Sequence, residues 1–157
     1  MPTGTTSTHL LSERRPEDPI TVLSISPLES DHVFLQEVFG HSNWRVHGVR
    51  SGREGLAWLR QQVSPVILCE EILPDGDWKG MLRELAKFRE RPELIVTSRV
   101  ADDSRWAEVL NLGAYDLLMK PFDLTEVFRV VSLAWRHWKN DCERMHAMLP
   151  EAARGAA

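Results

Sequence analysis

The chain has 157 residues, 43% of them hydrophobic and 27% charged, with a formal net charge of −4. That length suits one domain with a sizeable core, and the mild acidity gives no overall pull toward nucleic acid or an anionic membrane. No apolar run approaches the roughly 18 residues that would span a bilayer, and the Thr/Ser-rich start lacks the basic and apolar regions of a secretory signal.

Residues 1–18 are expected to form a disordered tail. Strand and helix patterns alternate from Ile20 onward. Residues 20–25 read as a short apolar strand. Residues 29–39 place Val33, Phe34 and Val38 on one helical face, with Gly40 as the stop. Residues 44–49 alternate like an outer strand. Ser51 with Glu54 offers a capping box for a helix whose stripe is Leu56, Leu59 and Val63. Residues 66–70 are a near-continuous apolar run ending in Glu70, and Leu73-Pro74-Asp75-Gly76 then turns the chain. A helix over 78–88 buries Met81, Leu82, Leu85 and Phe88. A fourth strand covers 93–97. A helix over 102–112, carrying Trp106, Val109 and Leu110, stops at Gly113. The fifth strand is 115–119, and Asp123 with Glu126 boxes the start of the last helix. Five βα units in series predict an α/β fold with a parallel sheet and helices on both faces. No second domain and no fixed-period repeat interrupts it.

Cys69 and Cys142 are isolated, with no CxxC pair, and read as reduced thiols of a cytoplasmic protein. The six histidines are not spaced like a metal site such as HxxxH. No nucleophile motif and no glycine-rich phosphate loop appears, so an enzyme is not expected. Of the six tryptophans, Trp58 and Trp106 fall on helices, where core packing is the default. Glu71, Asp75 and Asp77 crowd near Glu70 and read as a solvated acidic loop.

Three landmarks carry a family resemblance: the Leu73-Pro74-Asp75-Gly76 turn, Thr97-Ser98 ending the fourth strand, and Gly113-Ala114 followed by Lys120-Pro121-Phe122. At these spacings residues 20–138 resemble a response-regulator receiver domain. The resemblance implies a doubly wound, flavodoxin-like, five-stranded parallel sheet of order 2-1-3-4-5. It implies a receiver body over 19–138, an extension of the last helix over 139–150 and a loose tail over 151–157. It places Glu70 where receivers carry the phosphorylated Asp. Thr97 becomes the switch hydroxyl, and Lys120 the partner of the acidic centre.

The chain departs from the receiver pattern at three points. Glu70 replaces the acceptor Asp. Ser26-Pro27 stand where two acidic residues would hold Mg²⁺, an ion that wants hard oxygen ligands, carboxylates among them; its site is expected to be lost. Leu117 replaces the switch aromatic. The expected reading is an atypical receiver in which Glu70 faces Lys120 as a built-in anion. That mimicry is partial, because a carboxylate carries one charge where a phosphoryl group adds nearly two. The bland alternatives are a water-satisfied Glu70, a Lys120 snorkelling to solvent and a Thr97 that is merely a strand residue.

The last helix pattern runs from Asp123 to about Leu149. Leu124, Phe128, Val131, Trp135, Trp138, Cys142, Met145 and Leu149 alternate four and three apart, a coiled-coil period. Val127, Val130 and Ala134 form a second stripe for the sheet. A homodimer or a docked partner is expected through Phe128, Val131, Trp135, Trp138, Cys142 and Met145; the alternative is that the extension folds over its own domain. Residues past Trp138 are too few for a DNA-binding output domain. The expected function is a stand-alone signalling or protein-interaction module of a two-component pathway, a histidine kinase being one candidate partner. The rivals are a receiver still phosphorylated by such a kinase with metal recruited by Glu29 or Asp31, an anion or small-molecule sensor using the crevice of Ser26, Glu70, Thr97 and Lys120, and a purely structural dimerisation module.

Overall fold

The structure, a computed structural model, describes residues 18–100 and 102–150. The expected disordered start and loose end fall outside that range, apart from Asp18. In chain order the elements are β1 (Ile20–Ile25), α1 (Glu29–Phe39), β2 (Trp44–Val49), α2 (Gly52–Leu59), β3 (Val66–Glu70), β4 (Ile72–Leu73), β5 (Gly76–Asp77), α3 (Trp78–Leu85), β6 (Glu93–Ser98), α4 (Asp103–Asn111), β7 (Asp116–Met119) and α5 (Leu124–Ala147).

The main sheet is parallel with order β2-β1-β3-β6-β7, and β4 pairs with β5 in a two-residue ladder. Counting only the five strands of the main sheet, this is the expected 2-1-3-4-5 order. The direction of winding reverses between β1 and β3, and the crevice at such a point lies beyond the C-terminal strand ends.

Both faces of the central strands are covered, which is why they read as apolar runs and not as alternating patterns. The alternation survives as a division of labour. Ile67 and Cys69 of β3 join Leu23, Leu94, Val96 and Leu117 in a core closed by α2, α3 and α4. Val66 and Leu68 join Val22, Ile95 and Leu118 in a core closed by Leu35 and Phe39 of α1 and Val127, Val130, Val131 and Ala134 of α5.

Helix ends follow the sequence signals closely. The side chains of Ser51, Asp77, Asp102 and Asp123 accept from the backbone N–H three residues on, at Glu54, Gly80, Arg105 and Glu126. The box at Ser51 closes one residue outward, since Glu54 accepts from the Arg50 N–H at 2.9 Å. Gly113, at φ +106°, takes the left-handed turn that follows α4. Helix α3 ends at Leu85, short of the expected Phe88, because its last turn tightens into i→i+3 bonds from Lys87 to Glu84 and from Phe88 to Leu85.

Three expected packing faces are corrected. The buried face of α1 is Asp31, His32, Leu35 and Phe39, while Val33 is exposed. Trp106 is half-exposed and donates its indole N–H to Asp116 at 3.3 Å; Val109 is the residue of α4 in the core. The apolar stripe of α5 does not stand outward as a continuous seam. Val131 and Trp138 are buried, the Phe128 ring stacks on Phe39 at 5.6 Å, and Trp135 meets Trp44 edge-on at 6.0 Å. The physical reason is an aromatic cluster on α1 and β2 that reaches the same side of α5. Of that stripe, Leu124, Phe128 and Met145 stay exposed and Cys142 is half-buried.

Candidate functional site

Period two along the strands explains how the strand-end residues converge. Val22, Leu68, Ile95 and Leu118 all face α1 and α5. Two to four residues further along the same strands, on the same side, lie Ser26, Glu70, Thr97 and Lys120. Glu70 and Thr97 are register partners across β3 and β6. Lys120 continues the β7 ladder by donating its backbone N–H to Ser98 O at 2.8 Å, and the Lys120–Pro121 peptide bond is cis.

Lys120 is the hub. Its ammonium forms ion pairs with both Glu70 Oε2 and Asp31 Oδ2, the latter at 2.5 Å. Glu70 Oε2 also accepts from Thr97 Oγ1 at 2.9 Å, so one carboxylate oxygen takes both contacts. Ser26 Oγ donates to Asp31 Oδ2 at 2.6 Å and accepts from the Leu28 N–H at 3.1 Å. Ser26, Asp31, Thr97, Ser98 and Lys120 are all buried, and Glu70 is half-buried. The Phe122 ring, stacked on Phe34, lies 5.8 Å from the ammonium. A buried cation between two carboxylates satisfies the demand that buried charge be paired and hydrogen-bonded.

Of the residues singled out in the sequence, Ser26, Glu70, Thr97 and Lys120 are brought into one connected group. Ser98 lies beside it, donating to Glu71 Oε2 at 2.7 Å. Pro27 and Pro121 shape the loops and contribute no polar side-chain atom. Asp31 was expected on or near the following helix, as a carboxylate that could recruit metal; its side chain instead pairs with Lys120 and accepts from Ser26. His32, unmarked in the sequence, bonds Ser24 Oγ at 2.9 Å and Ser26 O at 3.0 Å, and so braces β1 beneath the site. The signal that could have found Asp31 is the four-residue step Asp31–Leu35–Phe39, which puts a carboxylate on the buried line of α1.

The acidic loop is not merely solvated. Glu71 forms an ion pair with Arg105 of α4. Asp75 accepts from the N–H groups of Gly52 and Arg53 at 2.9 Å each, and those donors hold its carboxyl below the usual carboxylate range. The Pro74-Asp75 turn thereby supplies the first N–H groups of α2 with an acceptor. Burial pushes the Cys69 thiol up, assisted by Glu70, Asp77 and Asp75. An open crevice of about 450 Å³, lined by Arg53, Arg60, Asp75 and Met81 among others, lies between α2 and α3, away from the strand-end group.

Comparison with known proteins bears on the family and the fold. The family model for the response regulator receiver domain covers residues 30–132. Regulatory protein AtoC of Escherichia coli K12 is 25% identical over 130 residues, 82% of this chain and 28% of that protein. Protein CcdB of Bacillus subtilis 168 is 25% identical over 117 residues, 74% of this chain and 98% of that protein. The chain thus spans little more than a quarter of AtoC but nearly the whole of CcdB. Among solved structures, the signal receiver domain of an HD domain-containing protein from Pseudomonas fluorescens Pf-5 superposes with a TM-score of 0.74 at 21% identity, covering 83% of this chain and 96% of that one. A CheY-like response regulator receiver domain protein from Methanospirillum hungatei JF-1 gives 0.70 at 18% identity, covering 79% and 99%. These structural likenesses speak for the fold.

Proposed function

This chain belongs to the response regulator receiver domain family, and we propose that within it the chain is a protein-interaction module of two-component signalling that works without aspartyl phosphorylation. The carrying observation is that Glu70 Oε2 accepts from both Thr97 Oγ1 and Lys120 Nζ. Those are the two groups that the receiver pattern directs at a phosphoryl oxygen. Glu70 holds them permanently, so the strand-end centre rests in one state. Changing that state then requires breaking a half-buried ion pair and a hydrogen bond together.

Receivers use Mg²⁺ to offset phosphoryl charge. The residues present here do not fit that ion. Pro27 offers no side-chain ligand, the Ser26 hydroxyl is committed to Asp31, and the Lys120 ammonium bridges Asp31 and Glu70. Glu29, the other carboxylate that could recruit metal, pairs with Arg50 at the surface at 3.3 Å. These placements support the phosphorylation-independent reading over the phosphorylated one. The anion-sensor reading is weaker because the space among Ser26, Thr97 and Glu70 is taken by the Lys120 side chain.

In this reading the module is not itself an enzyme. Its partners are proteins of the pathway, a histidine kinase among them, and a second copy of the chain meeting the end of α5, where Met145 and Met148 are exposed. We place it in the cytoplasm; no helix among the described residues is long and apolar enough to cross a membrane.

Titration of ¹⁵N-labelled protein with Mg²⁺ tests the site. Amide shifts at Ser26, Asp31, Glu70 and Thr97 that stay fixed to millimolar Mg²⁺ fit the proposal. Saturable shifts at those four residues support the phosphorylated receiver instead.

A further inference from the structure

His137 and Asp141 lie one turn apart on α5, and Glu93 opens β6. None of the three takes part in the strand-end group. His137 Nδ1 and one carboxylate oxygen each from Glu93 and Asp141 lie within 4.8 Å of one another. His137 Nδ1 is 2.7 Å from Glu93 Oε1 and 3.6 Å from Asp141 Oδ2.

We propose that Glu93, His137 and Asp141 form a binding site for a divalent transition-metal ion of the Zn²⁺ class, at the N-terminal edge of the sheet. Bonds of about 2.0–2.2 Å in tetrahedral geometry hold neighbouring ligand atoms about 3.3–3.6 Å apart. The His137–Asp141 separation already falls there. The His137–Glu93 contact opens by about 0.6 Å when an ion enters between the two atoms, a small side-chain rotation.

Charge argues in the same direction. The Glu93 side chain is only 8% exposed, and a buried carboxylate demands a cationic partner. The His137 imidazole gives it one hydrogen bond. A divalent ion compensates Glu93 and takes up Asp141 Oδ2, the oxygen left over from the Arg144–Asp141 Oδ1 ion pair. The His137 and Asp141 side chains are 51% and 39% exposed, which leaves an entry path and room for water in the remaining coordination position. One imidazole nitrogen beside two carboxylate oxygens suits Zn²⁺ and its neighbours; Mg²⁺ and Ca²⁺ prefer all-oxygen shells.

Glu93 and Thr97 sit four residues apart on β6, so this site is about 13 Å from the strand-end group and independent of its reading. A bound ion clips α5, just before it leaves the body of the domain, to the first residue of a central strand.

The test is calorimetric titration of the untagged full chain with ZnCl₂, with visible absorption of the Co²⁺-loaded protein as a second readout. The expected result is one Zn²⁺ per chain and Co²⁺ ligand-field bands, with Asp141→Asn and His137→Ala each weakening affinity by about tenfold or more and abolishing the bands. His146→Ala, a histidine further along α5, binds like the parent. Absence of saturable binding in the parent, or binding unchanged in Asp141→Asn, overturns the site; that isosteric variant decides the matter even if His137→Ala does not fold.

Discussion

Lys120 and Glu70 form an ion pair at the C-terminal edge of the sheet, with side chains only 5% and 16% exposed. Asp31 shares the same ammonium. Removing the cation strands two carboxylates where water is scarce, so Lys120→Met is expected to destabilise the fold by about 3–5 kcal/mol. Glu70→Gln keeps the shape and a hydrogen-bond acceptor for Thr97 and should cost clearly less. Urea unfolding of both variants ranks them; equal losses would mean that Lys120 is not the hub.

Asp75 ties the turn after β3 to the start of α2. Its carboxyl is held below the usual range by the N–H groups of Gly52 and Arg53. A depressed folded-state pKa contributes stability that is present above the unfolded-state value and lost as pH falls through the folded one. Asp75→Asn should therefore cost about 1 kcal/mol at neutral pH, a cap-sized loss at an exposed position. The gap between parent and variant should close in acid below the ordinary carboxylate range. Thermal unfolding at several pH values reads this directly, and a gap that widens in acid would contradict it.

Gly48 lies against the ring of His32. A Cβ there would sit 2.8 Å from His32 Cγ and Nδ1, and the ring is pinned by Ser24 and Ser26. Gly48→Ala should cost about 1–3 kcal/mol by overpacking. In a His32→Ala background the same change should cost much less, a coupling that a double-mutant cycle measures.

The two thiols should be poor nucleophiles. Burial pushes Cys142 up to about 12, assisted by Glu90, Asp141, Glu93 and Glu143, and Cys69 is fully buried. A raised pKa keeps the reactive thiolate scarce at neutral pH. Alkylation at pH 8 should be slow for both in the native protein and fast in urea, followed by intact mass; rapid native labelling of Cys142 would contradict the burial of its environment.

Sheet order and strand-end chemistry were legible because both rest on local, periodic signals. Apolar runs mark central strands, and parity along them carries Glu70, Thr97 and Lys120 to one side. Asp31 was not legible, because the apolar pattern Val33–Phe34–Val38 suggested a face rotated away from the true one. The step Asp31–Leu35–Phe39 marks the true face, but with fewer apolar residues than its rival, and the polar chain from Ser24 through His32 to Ser26, a tertiary arrangement, decides it. Part of the α5 stripe turns inward for a related reason. Heptad spacing says which residues share a stripe, not who covers it, and Phe39 and Trp44 cover much of this one. Glu93 and His137 meet only because β6 and α5 pack together, so no spacing of histidines could announce them.

The most direct test of the central claim is intact mass after incubation with acetyl phosphate and Mg²⁺, beside a conventional receiver that labels under the same conditions. No phosphoryl adduct is expected on this chain. An adduct that disappears in Glu70→Gln would contradict it and return the strand-end group to the phosphorelay.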